Sequence, residues 1–182
     1  ELLPAKIIGT INILDASNEN RCRVLFASSN HTIGYHERAT VISTESPYRP
    51  DGYYGLSKAY GELLARMMFD KHGVESVSLR IGSAEHAPSE ARHEATWLCM
   101  DDLKRMVRAS IDAPDVGCSV LWGVSKNQTL WWVGDDAEKI GFAPQTVGAT
   151  PGSLPEKGDD IAARYQGGSF ASNGFTRVEP AR

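Results

Sequence analysis

Three short apolar runs, separated by stretches of helical periodicity, dictate most of what this chain can fold into. Val24, Leu25, Phe26 and Ala27 form the first; Val77, Leu79 and Ile81 are the spine of the second; the segment CSVLWGVS, starting at Cys118, is the third. An apolar run of this length suits a strand covered on both faces, as in a parallel sheet. Before the first run, Leu3, Ile7, Ile8, Ile11 and Leu14 recur at helical spacing over residues 2–16, with Pro4 limiting the regularity of the first turn. A second helix is predicted from about Tyr54 to Lys71, ending near Gly73, with Leu63, Leu64, Met67 and Met68 turned inward. A third is predicted from about Asp102 to Ile111, stopped by Pro114. The order α-β-α-β-α-β predicts an α/β protein: a doubly wound parallel sheet with right-handed crossovers, binding ligands at the carboxyl ends of its strands.

Composition narrows the function classes. A chain of 182 residues, 41% hydrophobic, suits one domain. A net charge of -4 argues against nucleic acid or an anionic membrane as the main partner. The apolar runs fall far short of a membrane span and no charged-then-apolar leader opens the sequence, so a cytoplasmic setting is expected. Cys22, Cys99 and Cys118 are odd in number and widely spaced, which disfavours a disulfide framework or a thiolate metal site and predicts small buried apolar residues. A partial α/β domain is expected to span residues 1–144, followed at 145–182 by an irregular tail rich in Gly, Pro and Ser, either mobile or packed against another surface. Trp131 and Trp132, just before that tail, read as packing anchors.

Chemistry concentrates at the predicted strand ends. Ser28, Ser29, Asn30 and His31 follow the first strand, Ser83 and Arg92 lie beyond the second, and Tyr54 and Lys58 sit one turn apart at the start of the long helix. A phenol with an ordinary pKa of about 10 serves as a base at neutral pH only if its anion is stabilised by roughly 4 kcal/mol. A lysine ammonium at about 4 Å in an effective dielectric near 20 supplies that much. The tyrosine-lysine spacing is common by itself; its convergence with the serine cluster on one sheet edge makes it informative.

The segments VLFASSNHTIGYH, RPDGYYGLSKAYGE and VSLRIGS resemble the downstream part of the extended short-chain dehydrogenase/reductases, a Rossmann-like family, and with ATWL and the following Asp pair they are most similar to its uronate dehydrogenase branch. The resemblance implies NAD-dependent oxidation at C1 of D-galacturonate or D-glucuronate, a small-molecule uronic acid, to an aldarolactone by a homo-oligomer. It also implies that Tyr54 is the base, Lys58 the cation beneath it and a holder of the nicotinamide ribose, and Ser29 a hydrogen-bond partner of the reacting oxygen. Ile81 would line the cofactor, Asn30 and His31 would orient sugar hydroxyls, and Ser83 with Arg92 would bind the C6 carboxylate, which a planar guanidinium fork fits. An epimerase or dehydratase acting on nucleotide sugars, and a non-catalytic oligomerising fragment, are the alternatives. Two features depart from the family pattern. Lys6 stands where an asparagine usually precedes the IIGT run, and no glycine-rich GxxGxxG turn occurs in the chain, so a complete dinucleotide site is not expected from these residues alone.

Overall fold

The computed structural model describes residues 3–177. Leu3–Ile8 winds as a π-helical turn that runs into α1 (Gly9–Asn20). Next come β1 (Val24–Ser29), a 3-10 turn at Asn30–Ile33, β2 (Ile42–Ser43), α2 (Tyr53–His72), β3 (Ser76–Ile81) and β4 (Ser83–Ala84). The chain continues through α3 (His93–Thr96), β5 (Trp97–Leu98), α4 (Met100–Asp112), β6 (Cys118–Gly123) and β7 (Trp132–Val133). It closes with the short helices α5 (Ala137–Ile140), α6 (Asp160–Arg164) and α7 (Ser169–Ser172).

The three apolar runs form one parallel sheet in the order β1-β3-β6, with Val24 beside Ser76 and Ser76 beside Cys118. This is the expected α/β, Rossmann-like arrangement. Alternation along β3 shows how the sheet is covered. Val77 and Leu79 pack with Leu98, Met106 of α4, Leu121 and Ile140, while Arg80 on the other face bonds Glu62 of α2. Helices α2 and α4 therefore lie on opposite faces. Both connections step the same way across the sheet, so they have opposite hands, and the expectation that every crossover is right-handed fails. The β3-to-β6 connection is a long excursion through β4, α3 and β5, to which the rule for compact βαβ units does not extend.

The long helix starts and stops near the expected places, ending in a left-handed Gly73 (φ 73°). Its inward face differs from expectation: Leu63 and Met67 are 56% and 45% exposed, and the buried positions are Gly55, Ser57, Lys58, Ala59, Gly61, Glu62, Ala65 and Met68. The reason is close approach. A Cβ at Gly61 would lie 2.3 Å from the Phe26 ring, so small side chains let α2 settle onto β1 and the bulky ones are left outside. The cysteines also depart from expectation. Cys22 is exposed and Cys99 and Cys118 are partly so, because they occupy a post-helix turn, the N-cap of α4 and the start of β6 rather than core positions.

Long-range polar ties fasten the layers. Arg23, preceding β1, donates to the carbonyls of Ser110, Ile111 and Ala113 at the end of α4 and pairs with Glu75 at 2.8 Å. Of the two alternatives for the tail, the structure shows packing. Gln166 is fully buried; its Nε2 donates to the Thr40 carbonyl (2.9 Å) and its Oε1 accepts from Trp132 Nε1 (2.8 Å). Trp132 stacks on Trp122 with ring centroids 5.0 Å apart and Trp131 lies under Arg38, so both tryptophans anchor. No helix among the described residues is long and apolar enough to cross a membrane.

Candidate active site

At the carboxyl ends of β1 and β3 lies an open cleft of about 430 Å³, lined by Ser29, Asn30, His31, Tyr54, Lys58, Ile81 and Phe170 among others. Six of the sequence-predicted residues thus meet in one place. Local sequence explains how. The extended β1 ends at Ser29, whose Oγ accepts from the His31 backbone N–H at 3.2 Å, turning the chain into the 3-10 segment that carries Asn30 and His31. Helix α2 then begins against that turn. A Cβ at Gly55 would come within 2.1 Å of the His31 carbonyl, so glycine beside Tyr54 permits the approach that brings helix start and serine cluster together.

Lys58 Nζ sits 5.6 Å from the centroid of the Tyr54 ring and donates to the Ala27 carbonyl at 2.5 Å. No carboxylate among the described residues pairs with it. Burial, and to a lesser degree the like charge of Lys6, pushes the Lys58 ammonium below its ordinary value. The side chain is therefore a desolvated cation with donor capacity left for a ligand. Tyr54 is half exposed at the cleft, edge-on to His31 with ring centroids 6.0 Å apart. Ser28, the other serine of the cluster, turns away to Glu62 on α2.

Ser83 and Arg92 stand behind Asn30. Arg92 Nη1 donates to Ser83 Oγ at 2.9 Å and Nε to the Gln166 carbonyl at 2.7 Å. With its amide turned to satisfy both neighbours, Asn30 donates to the Ile81 carbonyl at 3.0 Å and accepts from Arg92 Nη2. Thr96 meets Ser83 Oγ at 2.9 Å from behind. Arg92 is buried, and loss of hydration is the main reason its pKa falls to about 10. Its flanking acids do not neutralise it. Glu90 contacts His93 at 3.3 Å, and Glu94 accepts from the Gly152 and Leu154 N–H groups. Among the described residues no carboxylate forms an ion pair with Arg92.

Sequence reasoning missed three contributors. Phe170 packs on His31 with ring centroids 4.1 Å apart, and Asp51 Oδ2 lies 2.7 Å from His31 Nδ1. The third is the glycine pair between them in the fold: a Cβ at Gly167 would sit 2.1 Å from Asp51 Oδ2, and one at Gly168 would sit 2.7 Å from Arg92 Cδ. The cluster YQGGSF was visible as an oddity of the tail, and its glycines are the signal that could have placed it against another surface.

A family model described as "NAD dependent epimerase/dehydratase family" matches residues 1–108. The chain is 44% identical to a uronate dehydrogenase of Pseudomonas syringae pv. tomato, over 96% of this chain and 66% of that protein. It superposes on a solved glucuronic acid dehydrogenase from Chromohalobacter salexigens with a TM-score of 0.88 at 42% identity, covering 94% of this chain and 67% of that one. A tyrosine-to-alanine mutant of a uronate dehydrogenase from Agrobacterium tumefaciens, solved in complex with NAD, matches with a TM-score of 0.85 at 39% identity, over 92% of this chain and 66% of that one. The chain spans about two thirds of the length of these relatives.

Proposed function

The chain belongs to the NAD dependent epimerase/dehydratase family, and from that premise we propose that its cleft oxidises the C1 hydroxyl of a uronic acid, D-galacturonate or D-glucuronate, to an aldarolactone. The observation that carries this reading is Arg92. A desolvated guanidinium with only neutral partners invites an anion, and Ser83 and Asn30 keep its fork oriented while it has none. A uronate differs from a neutral sugar by the carboxylate that such a group recognises. The similarity to uronate and glucuronic acid dehydrogenases supports the same choice.

In this reading Tyr54 Oη takes the proton of the C1 hydroxyl, and the nearby Lys58 ammonium stabilises the charge that develops on the phenol oxygen. Ser29 Oγ donates to the reacting oxygen, while Asn30 and His31 hold the ring hydroxyls. NAD, when bound, supplies the acceptor for the hydride that leaves C1. The residues present fit its nicotinamide-ribose half: Lys58 has one carbonyl partner and keeps protons for ribose hydroxyls, and Ile81 offers an apolar wall beside it. Leu56, Leu63 and Met67 form an exposed stripe on α2, with Ile13 exposed on α1, which supports assembly with a second copy as a homo-oligomer; the cytoplasm is its proposed setting.

The test is NADH formation by the intact protein. Galacturonate or glucuronate is expected to give it, and the corresponding neutral aldoses and nucleotide sugars are expected to give none at equal concentration. Turnover of nucleotide sugars alone would move the chain to the epimerase or dehydratase reading. A second expectation concerns Arg92→Met. Loss of a charge-assisted contact should raise KM for uronates by roughly 10- to 150-fold, about 1.5 to 3 kcal/mol, with little change in the Kd for NAD. An unchanged KM would place the carboxylate elsewhere.

A further inference from the structure

Asp51 is a buried carboxylate that the proposed chemistry does not use. It lies in the loop before α2, within the sequence RPDG. Its Oδ2 meets His31 Nδ1 at 2.7 Å, and its Oδ1 is buried with no hydrogen-bond partner among the described residues. His31 is thus the one side chain among them that bonds this acid. A buried carboxylate makes a strong demand for donors, because the water it has lost must be replaced.

The packing around Asp51 is built to hold it there. Gly34 and Gly167, neighbours in the fold, both come close to it. A Cβ on Gly34 would lie 1.9 Å from Asp51 Oδ2 and one on Gly167 would lie 2.1 Å from it. The two glycines are joined by a hydrogen bond from the Gly167 N–H to the Gly34 carbonyl (2.8 Å), and Asp51 N–H donates to the His31 carbonyl at 3.3 Å. Phe170 packs on the imidazole ring, with centroids 4.1 Å apart. The carboxylate is therefore held by backbone of two separate segments, the turn His31–Gly34 and the tail at Gly167, and the imidazole contacts both the carboxylate and the Phe170 ring.

We infer that Asp51 is a positioning residue: its carboxylate holds the His31 proton on Nδ1, so that Nε2 faces the cleft as an acceptor for a ring hydroxyl of the substrate. The two ring nitrogens of a neutral histidine have opposite polarity, and the partner of one decides the role of the other. A free imidazole would give up this polarity and also rotate. The inference rests on the substrate reading of His31 given above.

Two measurements on the intact protein test it. In the nitrogen NMR spectrum of the neutral His31 ring, Nδ1 is expected to carry the proton and Nε2 to be bare. In Asp51→Ala that preference should be lost, and kcat/KM for galacturonate should fall by roughly 10- to 100-fold, by analogy with the loss when the partner that orients a metal-ligating imidazole is removed. The Kd for NAD should hold within about twofold. In a His31→Ala background the same Asp51→Ala change should cost less than about twofold more, because its effect passes through His31. Equal losses in both backgrounds would overturn the inference, as would full activity of Asp51→Ala. A wild-type spectrum with the proton on Nε2 would overturn it even if Asp51→Ala does not fold. Failure of the substrate reading shows itself separately, as a wild-type protein that forms no NADH from either uronate.

Discussion

Tyr54→Phe is expected to lower kcat for uronate oxidation by about 10²- to 10⁴-fold while leaving the Kd for NAD within about twofold. The substitution removes one oxygen and little else. The ring that lies 5.6 Å from Lys58 and 6.0 Å from His31 remains, so the cleft keeps its shape and its cation. What is lost is the atom that accepts the C1 proton, and without it hydride departure would leave a protonated, cationic product oxygen in a site already holding one ammonium. Steady-state NADH formation gives the kcat, and fluorescence titration gives the cofactor affinity. A residual kcat above about one tenth of wild type would assign proton removal to another group.

The second large effect is on stability. Glu62→Ala is expected to cost about 3 to 5 kcal/mol, which for a chain of this size lowers the thermal midpoint by roughly 6 to 20 °C. Glu62 and Arg80 have side chains only 1% exposed and meet at 2.8 Å, with Arg80 held between the Tyr48 and Trp122 rings. Burial alone would penalise the Arg80 charge, and the bonds and opposite charge of Glu62 outweigh that. Tyr48, partly buried and donating to the same carboxylate at 3.0 Å, has its phenol pushed up to about 12, chiefly by loss of hydration. Without Glu62, Arg80 keeps the Thr44 carbonyl at 3.3 Å, and Ser28, next to the cleft, loses its acceptor. Adding Arg80→Met to Glu62→Ala should recover part of the loss, because the orphaned charge is then gone. A single-variant cost below about 1 kcal/mol would show that the pair is not what joins α2 to the sheet.

The two predictions differ in how far the sequence reached. Tyr54 and Lys58 could be singled out because helical spacing is local, and the rim to which they belong follows from a general rule about parallel sheets. The Glu62–Arg80 pair could not, because Glu62 sits inside an amphipathic helix and Arg80 inside a strand, and neither position carries a local sign that the other faces it. The inward face of α2 was misread for a related reason. Leu63 and Met67 are the apolar residues that periodicity selects, but the sheet accepts a helix with Gly61 and Ala65 facing it.

Within the site the division is similar. Ser29, Asn30, His31 and Ile81 were legible as strand-end residues, and Ser83 and Arg92 followed from their place beyond β3. That Arg92 is buried without an acid was not legible, since Glu90 and Glu94 flank it in sequence and turn elsewhere in space. Asp51, Gln166 and Phe170 were passed over because their partners come from distant segments.

Short-range order, meaning the alternation of buried strands with helices and the gathering of reactive groups at strand ends, was determined by the sequence alone, since it depends on spacings of a few residues. Which charges stay unpaired, which face of a helix is covered and how the tail closes on the cleft were decided only in the tertiary structure. Those outcomes depend on contacts such as Gln166 with Arg92, 74 residues apart along the chain, where packing space and loss of hydration, not local periodicity, select the neighbour.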